Sequence, residues 1–173
     1  LNMNGKTLRL NGTFLNSATA VNTGLNAAAG SKLLFVGLVQ QNITLGNQYF
    51  GSATTTPDIE VSNNFFNNAA TSGATILAAD TIRNLIVNSG SYFQPTGAFT
   101  FNIAGDVTNN GTIFSAGIAA PTAGQYLVNF CGSSVQTISG TGTWLQVTTN
   151  AGTAVFPGFQ INNAAGVVLN QSI

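Results

Sequence analysis

Apolar runs of four to seven residues, rich in Val, Ile, Leu, Phe and Thr, recur along the whole chain between Gly, Asn and Ser clusters. Runs of this length and composition, bounded by turn formers, read as β-strands. The pattern predicts strands at 7–10, 33–39, 42–45, 58–61, 75–77, 84–87, 100–103, 111–114, 126–130, 136–138, 144–147, 158–161 and 167–169. Helical periodicity is nearly absent, and LNAAAGSK at 25–32 has room for one turn at most.

The strands repeat a grammar: apolar–polar–apolar, an Asn-containing corner, a Gly, then another short strand. It is visible in NLIVNSGSYFQP from Asn84, FTFNIAGDVTNNGTIF from Phe99 and FQINNAAGVVLN from Phe159. Two or three such strands would close one turn of about 20–25 residues, the signature of a stacked repeat architecture. The expected fold is therefore all-β, a parallel β-solenoid (β-helix) in which residues 1–173 form one repetitive segment. Residues 83–173 are the most repeat-like, and 13–80 carry longer insertions. About seven turns at ~4.8 Å each would give a rod roughly 35 Å long. Leu85, Val87, Phe101, Ile103, Ile113, Val128, Phe130, Ile138, Ile161 and Val168 are expected in the interior ladders, with Asn and Thr ladders at the corners. The alternative is a repeated β-sandwich, which needs antiparallel pairing and usually charged outer faces.

Charge sharpens this picture. Four acids, four bases and no histidine are spread over 173 residues of which 44% are hydrophobic. Like charges stacked in a ladder repel, so a solenoid explains their scarcity. Unclustered bases do not suit a nucleic-acid surface. The longest apolar run, 33–39, contains Gly37 and falls far short of the ~20 residues of a membrane-spanning helix. With one cysteine and no histidine a zinc site is not expected. Cys131, following Phe130, reads as a small core residue.

The candidate chemistry is sparse. Asp58 and Glu60 share one strand face at a separation that could serve a glycosidase pair. No Arg, Lys or Tyr neighbours them in sequence, so they read as solvated acids, with a weak Ca²⁺ site or catalysis as lesser alternatives. Asp80 and Arg83 are expected to form a corner ion pair, and Asp106 stands by itself. Tyr49-Phe50 and Phe65-Phe66 are adjacent aromatics, one of each pair facing outward on a strand. They would cover a corner, or contact a neighbouring chain or a sugar.

From Asn84 onward, NLIVNSG (84–90), GDVTNNGTI (105–113) and FCGSSVQTISGTG (130–142) followed by FQINNAAGVVL (159–169) resemble β-helical repeats of large secreted Bacteroidota surface adhesins. These are the type IX-secreted proteins of gliding bacteria and their relatives. The Phe–x–Gly–x3–Gln–x–Ile–x–Gly phrase with its Asn-Asn strand is the most specific part of the match. The resemblance implies a long exported protein at the bacterial cell surface, with this segment a non-catalytic stalk or adhesive fibre that needs no cofactor. Its partners would be further copies of itself and cell-surface glycans, with no nucleic acid and no membrane insertion. It also makes Asp80-Thr81-Ile82 a candidate O-glycosylation tripeptide, with the sugar on Thr81. A carbohydrate-binding or polysaccharide-cleaving β-helix and a phage tail-fibre module are the alternatives. Neither terminus carries a polar cap, so the expected solenoid continues into further turns at both ends.

Overall fold

The computed structural model describes residues 1–16, 25, 27–45, 56–68, 71–95, 99–114, 127–144, 148–149, 152–153 and 158–173. Three parallel sheets dominate. The first, in spatial order, contains β1 (Thr7–Leu10), β3 (Lys32–Phe35), β5 (Asp58–Val61), β10 (Leu85–Val87), β13 (Val107–Asn109), β16 (Gln136–Ser139) and β21 (Val167–Leu169). The second contains β17 (Thr143–Trp144), β14 (Thr112–Ile113), β11 (Tyr92–Pro95), β8 (Ala74–Ile76), β4 (Gln41–Thr44) and β2 (Phe14–Leu15). The third contains β20 (Gly158–Ile161), β15 (Leu127–Phe130), β12 (Thr100–Ile103) and β9 (Asp80–Ile82). From β9 onward the chain visits the third, first and second sheets in strict rotation. Antiparallel pairing among the described residues is confined to two hairpins, β6 (Phe66–Asn68) with β7 (Thr71–Ser72) and β18 (Thr148–Thr149) with β19 (Gly152–Thr153).

Register follows the hydrophobic pattern. Leu8, Leu33, Ile59, Leu85, Val107, Ile138 and Leu169 stack directly on one another through all seven strands of the first sheet. The chain length between neighbours in this column varies, from 22 positions (Leu85 to Val107) to 31 (Val107 to Ile138), yet the register does not slip. A one-residue slip would turn every buried side chain outward, so the column is strongly specified. Each fully buried aliphatic side chain contributes about 1.5–3 kcal/mol from burial. A parallel column, Leu10, Phe35, Val61 and Val87, ends on Asn109, which is buried and donates Nδ2 to the Thr143 carbonyl at 3.1 Å.

Two expected interior residues are corrected. Val168 pairs with Thr137, an outward position, and is 44% exposed; Leu169 is the residue that stacks on Ile138. Ile161 has the interior register above Phe130, but β20 is the last strand of its sheet and the side chain is 61% exposed. Cys131 also lies outside the core: it is half-buried, its Sγ donating to the Ile103 carbonyl at 3.6 Å, and desolvation pushes its thiol up.

Two corners are built alike. At Phe35-Val36-Gly37, Gln41 Oε1 accepts from Gly37 N at 2.8 Å, while Nε2 donates to the carbonyls of Leu10 (3.0 Å) and Gly12 (2.9 Å) in the preceding layer. In the following layer, Asn63 Nδ2 donates to Gln41 Oε1 (2.9 Å) and to the Val39 carbonyl (2.8 Å). At Phe130-Cys131-Gly132, Gln136 accepts from Gly132 N (2.8 Å) and donates to Ile103 (3.0 Å) and Gly105 (2.5 Å). Asn163 completes it, donating to Gln136 Oε1 (2.9 Å) and Ser134 O (2.7 Å). Both glutamines are buried, and each amide uses both donors and both acceptor positions, as a buried amide must to avoid a desolvation cost.

Candidate functional site

The outer face of the first sheet gathers most of the chain's eight charges. Lys32, Asp58 and Glu60 stand on the neighbouring strands β3 and β5, Arg9 on β1, Arg83 between β9 and β10, and Asp106 immediately before β13. Because parallel strands stay in register, residues 26 positions apart become neighbours: Lys32 lies opposite Asp58, with Glu60 diagonal to it. Lys32 Nζ donates to Glu60 Oε2 at 2.6 Å, and Arg83 Nε donates to Asp58 Oδ1 at 2.7 Å. Each acid thus carries a base, which corrects their reading as solvated side chains without basic neighbours. It also replaces the expected Asp80–Arg83 pair, because Arg83 turns outward to Asp58.

The remaining acceptors are also engaged. Asn88 Nδ2 donates to Glu60 Oε1 at 2.9 Å and to Ser62 Oγ at 2.7 Å. The Lys32 ammonium, assisted by Asn88, holds the Glu60 carboxyl below its usual range against the opposing effect of desolvation. Asp58 raises the already high pKa of the Arg83 guanidinium. A glycosidase acid must hold a proton near neutrality, which requires the opposite shift. The shift at Glu60 runs the other way, toward its ionised form.

A second relationship runs along the same column. Asp58 Oδ1 accepts from the backbone N of Asn84 (3.2 Å) and from its Nδ2 (2.8 Å). Asn84 Oδ1 accepts from the N of Asp106 (2.8 Å), and Asp106 Oδ1 accepts from the N of Thr137 (2.8 Å). Short side-chain acceptors thus stitch each layer to the backbone of the next, and Asp106, solitary in sequence, is one rung. On the third sheet Asn129 Nδ2 donates to Asn102 Oδ1 at 2.8 Å, an amide ladder of the kind the composition predicts, placed on a strand rather than a corner.

Phe66 is 45% exposed and its ring lies 5.0 Å from that of Tyr92, which in turn meets buried Phe114 edge-on at 6.4 Å. Phe65 is half-buried beside it. Tyr49 and Phe50 lie outside the described residues. Thr81 is 7% exposed, in the strand β9 that ends the third sheet against β12 and is buried along its length. Asp80 is also buried, accepting from Leu45 N at 3.1 Å, and burial pushes its carboxyl up to about 7. Among the described residues no group of three or more His, Cys, Asp or Glu side chains could hold a metal ion, and no helix is long and apolar enough to cross a membrane.

No protein-family model, curated protein or solved structure matches the chain.

Proposed function

We propose that the chain is a parallel β-solenoid serving as a non-catalytic structural segment of an extracellular adhesive fibre or stalk at a bacterial cell surface. The supporting observation is the column from Leu8 to Leu169, which keeps one register across seven strands despite unequal connections. Rotation of the chain through three sheets, with Gln41 and Gln136 tying three layers at a corner, suits a stack that grows along one axis. The pairing of Glu60 with Lys32 and of Asp58 with Arg83 suits a load-bearing face. Export, the cell surface and adhesion rest on the resemblance of 84–90, 105–113, 130–142 and 159–169 to Bacteroidota adhesin repeats. Under this reading Phe66 is the side chain placed to touch a surface glycan or a neighbouring copy.

Small-angle scattering of the chain tests the architecture. A rod whose length corresponds to about seven layers at ~4.8 Å is expected, and a particle without that axial repeat overturns it. Antibody labelling of intact cells tests the location, and label appearing only after lysis counts against a surface fibre. A polysaccharide-turnover assay tests the non-catalytic reading, which a real activity abolished by Asp58→Asn would refute.

A further inference from the structure

The third sheet begins at β9, whose first residue, Asp80, faces the interior beneath Phe101. The column above it, Phe101, Val128 and Phe159, is apolar. A carboxyl group at the foot of such a column is out of place unless it has work there. Asp80 is 3% exposed; Oδ2 accepts from the backbone N of Leu45, just past β4 of the second sheet, and Oδ1 is buried without a hydrogen-bond partner. No described charged side chain compensates it. Arg83, three residues on, is turned outward to Asp58; β12 presents Phe101 against it; Leu45 offers its backbone N–H. Lys32 and Glu60 are paired to each other on the outer face of the first sheet.

We propose that Asp80 is a proton-operated latch joining the end of β4 to the start of the third sheet, closed when its carboxyl is neutral and loosened when it ionises. Oδ2 accepts the Leu45 amide in either state. Ionisation adds a desolvated negative charge that one N–H cannot balance, and the relief available is for the contact to open and admit water. The direction of the pH effect follows from the raised value. The folded chain holds the proton up to about pH 7, whereas an unfolded aspartate releases it near the ordinary 3.8. The folded state therefore binds more protons between those values, so its advantage is greatest at acid pH and declines as pH rises through neutrality. If the latch opened only by global unfolding, the folding equilibrium would change by up to ~10³-fold across that window.

The chain has four carboxylic side chains, which makes the test direct. Infrared difference spectra over a pH titration would be recorded on the unsubstituted chain, with amide hydrogen exchange of the peptide containing Leu45 measured in parallel. The expected result is one protonated carboxyl persisting to near neutrality and lost with a midpoint close to 7. Exchange at Leu45, corrected for its intrinsic pH dependence, should accelerate across the same midpoint. In Asp80→Asn the carboxyl signal should vanish and the Leu45 exchange should lose its pH dependence. Titration of all four carboxyls below about pH 5 would overturn the proposal, as would Leu45 exchange that ignores the midpoint. Because the titration is read on the natural sequence, it decides the matter even if the variant fails to fold.

Discussion

Asn163 donates its side-chain amide to Gln136 Oε1 at 2.9 Å, as Asn63 donates to Gln41 Oε1 at 2.9 Å. The two pairs stand at different corners: Gln41 opens a strand of the second sheet, and Gln136 opens one of the first. In both, Phe-x-Gly-x3-Gln-x-Ile supplies the glutamine, and an asparagine of the next layer supplies the second donor. The asparagine then accepts from the backbone two residues on, Phe65 N at 2.9 Å or Ala165 N at 2.8 Å, which starts the next turn. The unit is thus a portable bracket that fixes a corner to the layers before and after it.

Gln136→Leu should cost about 2–4 kcal/mol, because it keeps the volume but strands Gly132 N and the Gly105 carbonyl and removes one of the donors to the Ile103 carbonyl, which keeps Cys131 N. Gln41→Leu should cost a similar amount for the same reason. Urea denaturation of the two variants measures this; a loss under ~0.5 kcal/mol in both would show that water replaces the bracket without penalty.

Parity along the first sheet gives a paired prediction. Leu33→Ala opens a cavity in the middle of the aliphatic column and should cost about 2–5 kcal/mol. Val168→Ala, on an outward and exposed position, should change stability by no more than ~0.5 kcal/mol. Equal effects in thermal melts would mean that the register of the last strand is wrong.

The ion pairs predict an acid limb. The lowered Glu60 carboxyl contributes stability that is present above its ordinary value of 4.5 and is lost as pH falls through its folded value. Lys32→Met should remove most of that contribution, about 1 kcal/mol near neutrality, and flatten the curve below about pH 5. Melting temperatures across an acid pH series would reveal it, and a variant with the same acid slope as the natural chain would refute the pairing.

Two glycines with positive φ separate conformation from space. Gly90, φ +73°, has open surroundings, so Gly90→Ala should cost only the left-handed backbone penalty, ~1–2 kcal/mol. At Gly73, φ +57°, an added Cβ would stand 2.0 Å from the Tyr92 carbonyl oxygen, and Gly73→Ala should cost roughly 3 kcal/mol or more. Denaturation midpoints should rank the two variants in that order, and the reverse order would contradict the approach of Tyr92 to Gly73.

Much of the strand pattern was legible from local composition. The runs at 7–10, 58–61, 100–103, 158–161 and 167–169 form strands with those same limits, because apolar residues alternate with polar or β-branched ones over three or four positions between small, polar or proline residues at most of their ends. β9, β11 and β13 were not legible: Asp80-Thr81-Ile82, a run ending in Pro95, and Val107-Thr108-Asn109 hold too few apolar residues to announce themselves. They become strands because neighbouring layers offer them a backbone ladder. The second glutamine bracket could have been read, since FVGLVQQNI at 35–43 carries the same phrase as 130–138.

By itself the sequence determined an all-β chain of short strands, the scarcity of charge and most of the interior ladder residues, Val168 and Ile161 excepted, all of which follow from side-chain type and spacing of two. The tertiary structure decided which distant residues meet. Lys32 finds Glu60 and Asp58 finds Arg83 across 28 and 25 positions, separations set by how much chain each layer consumes. That length varies from layer to layer, so no fixed period in the sequence could have paired them. Asp80 is the clearest case: its neighbour in sequence, Arg83, is a base, yet the strand turns that base outward and leaves the carboxyl inside with Leu45 N. Alternation of side chains across a strand, together with the layer stacked beneath it, separates the two.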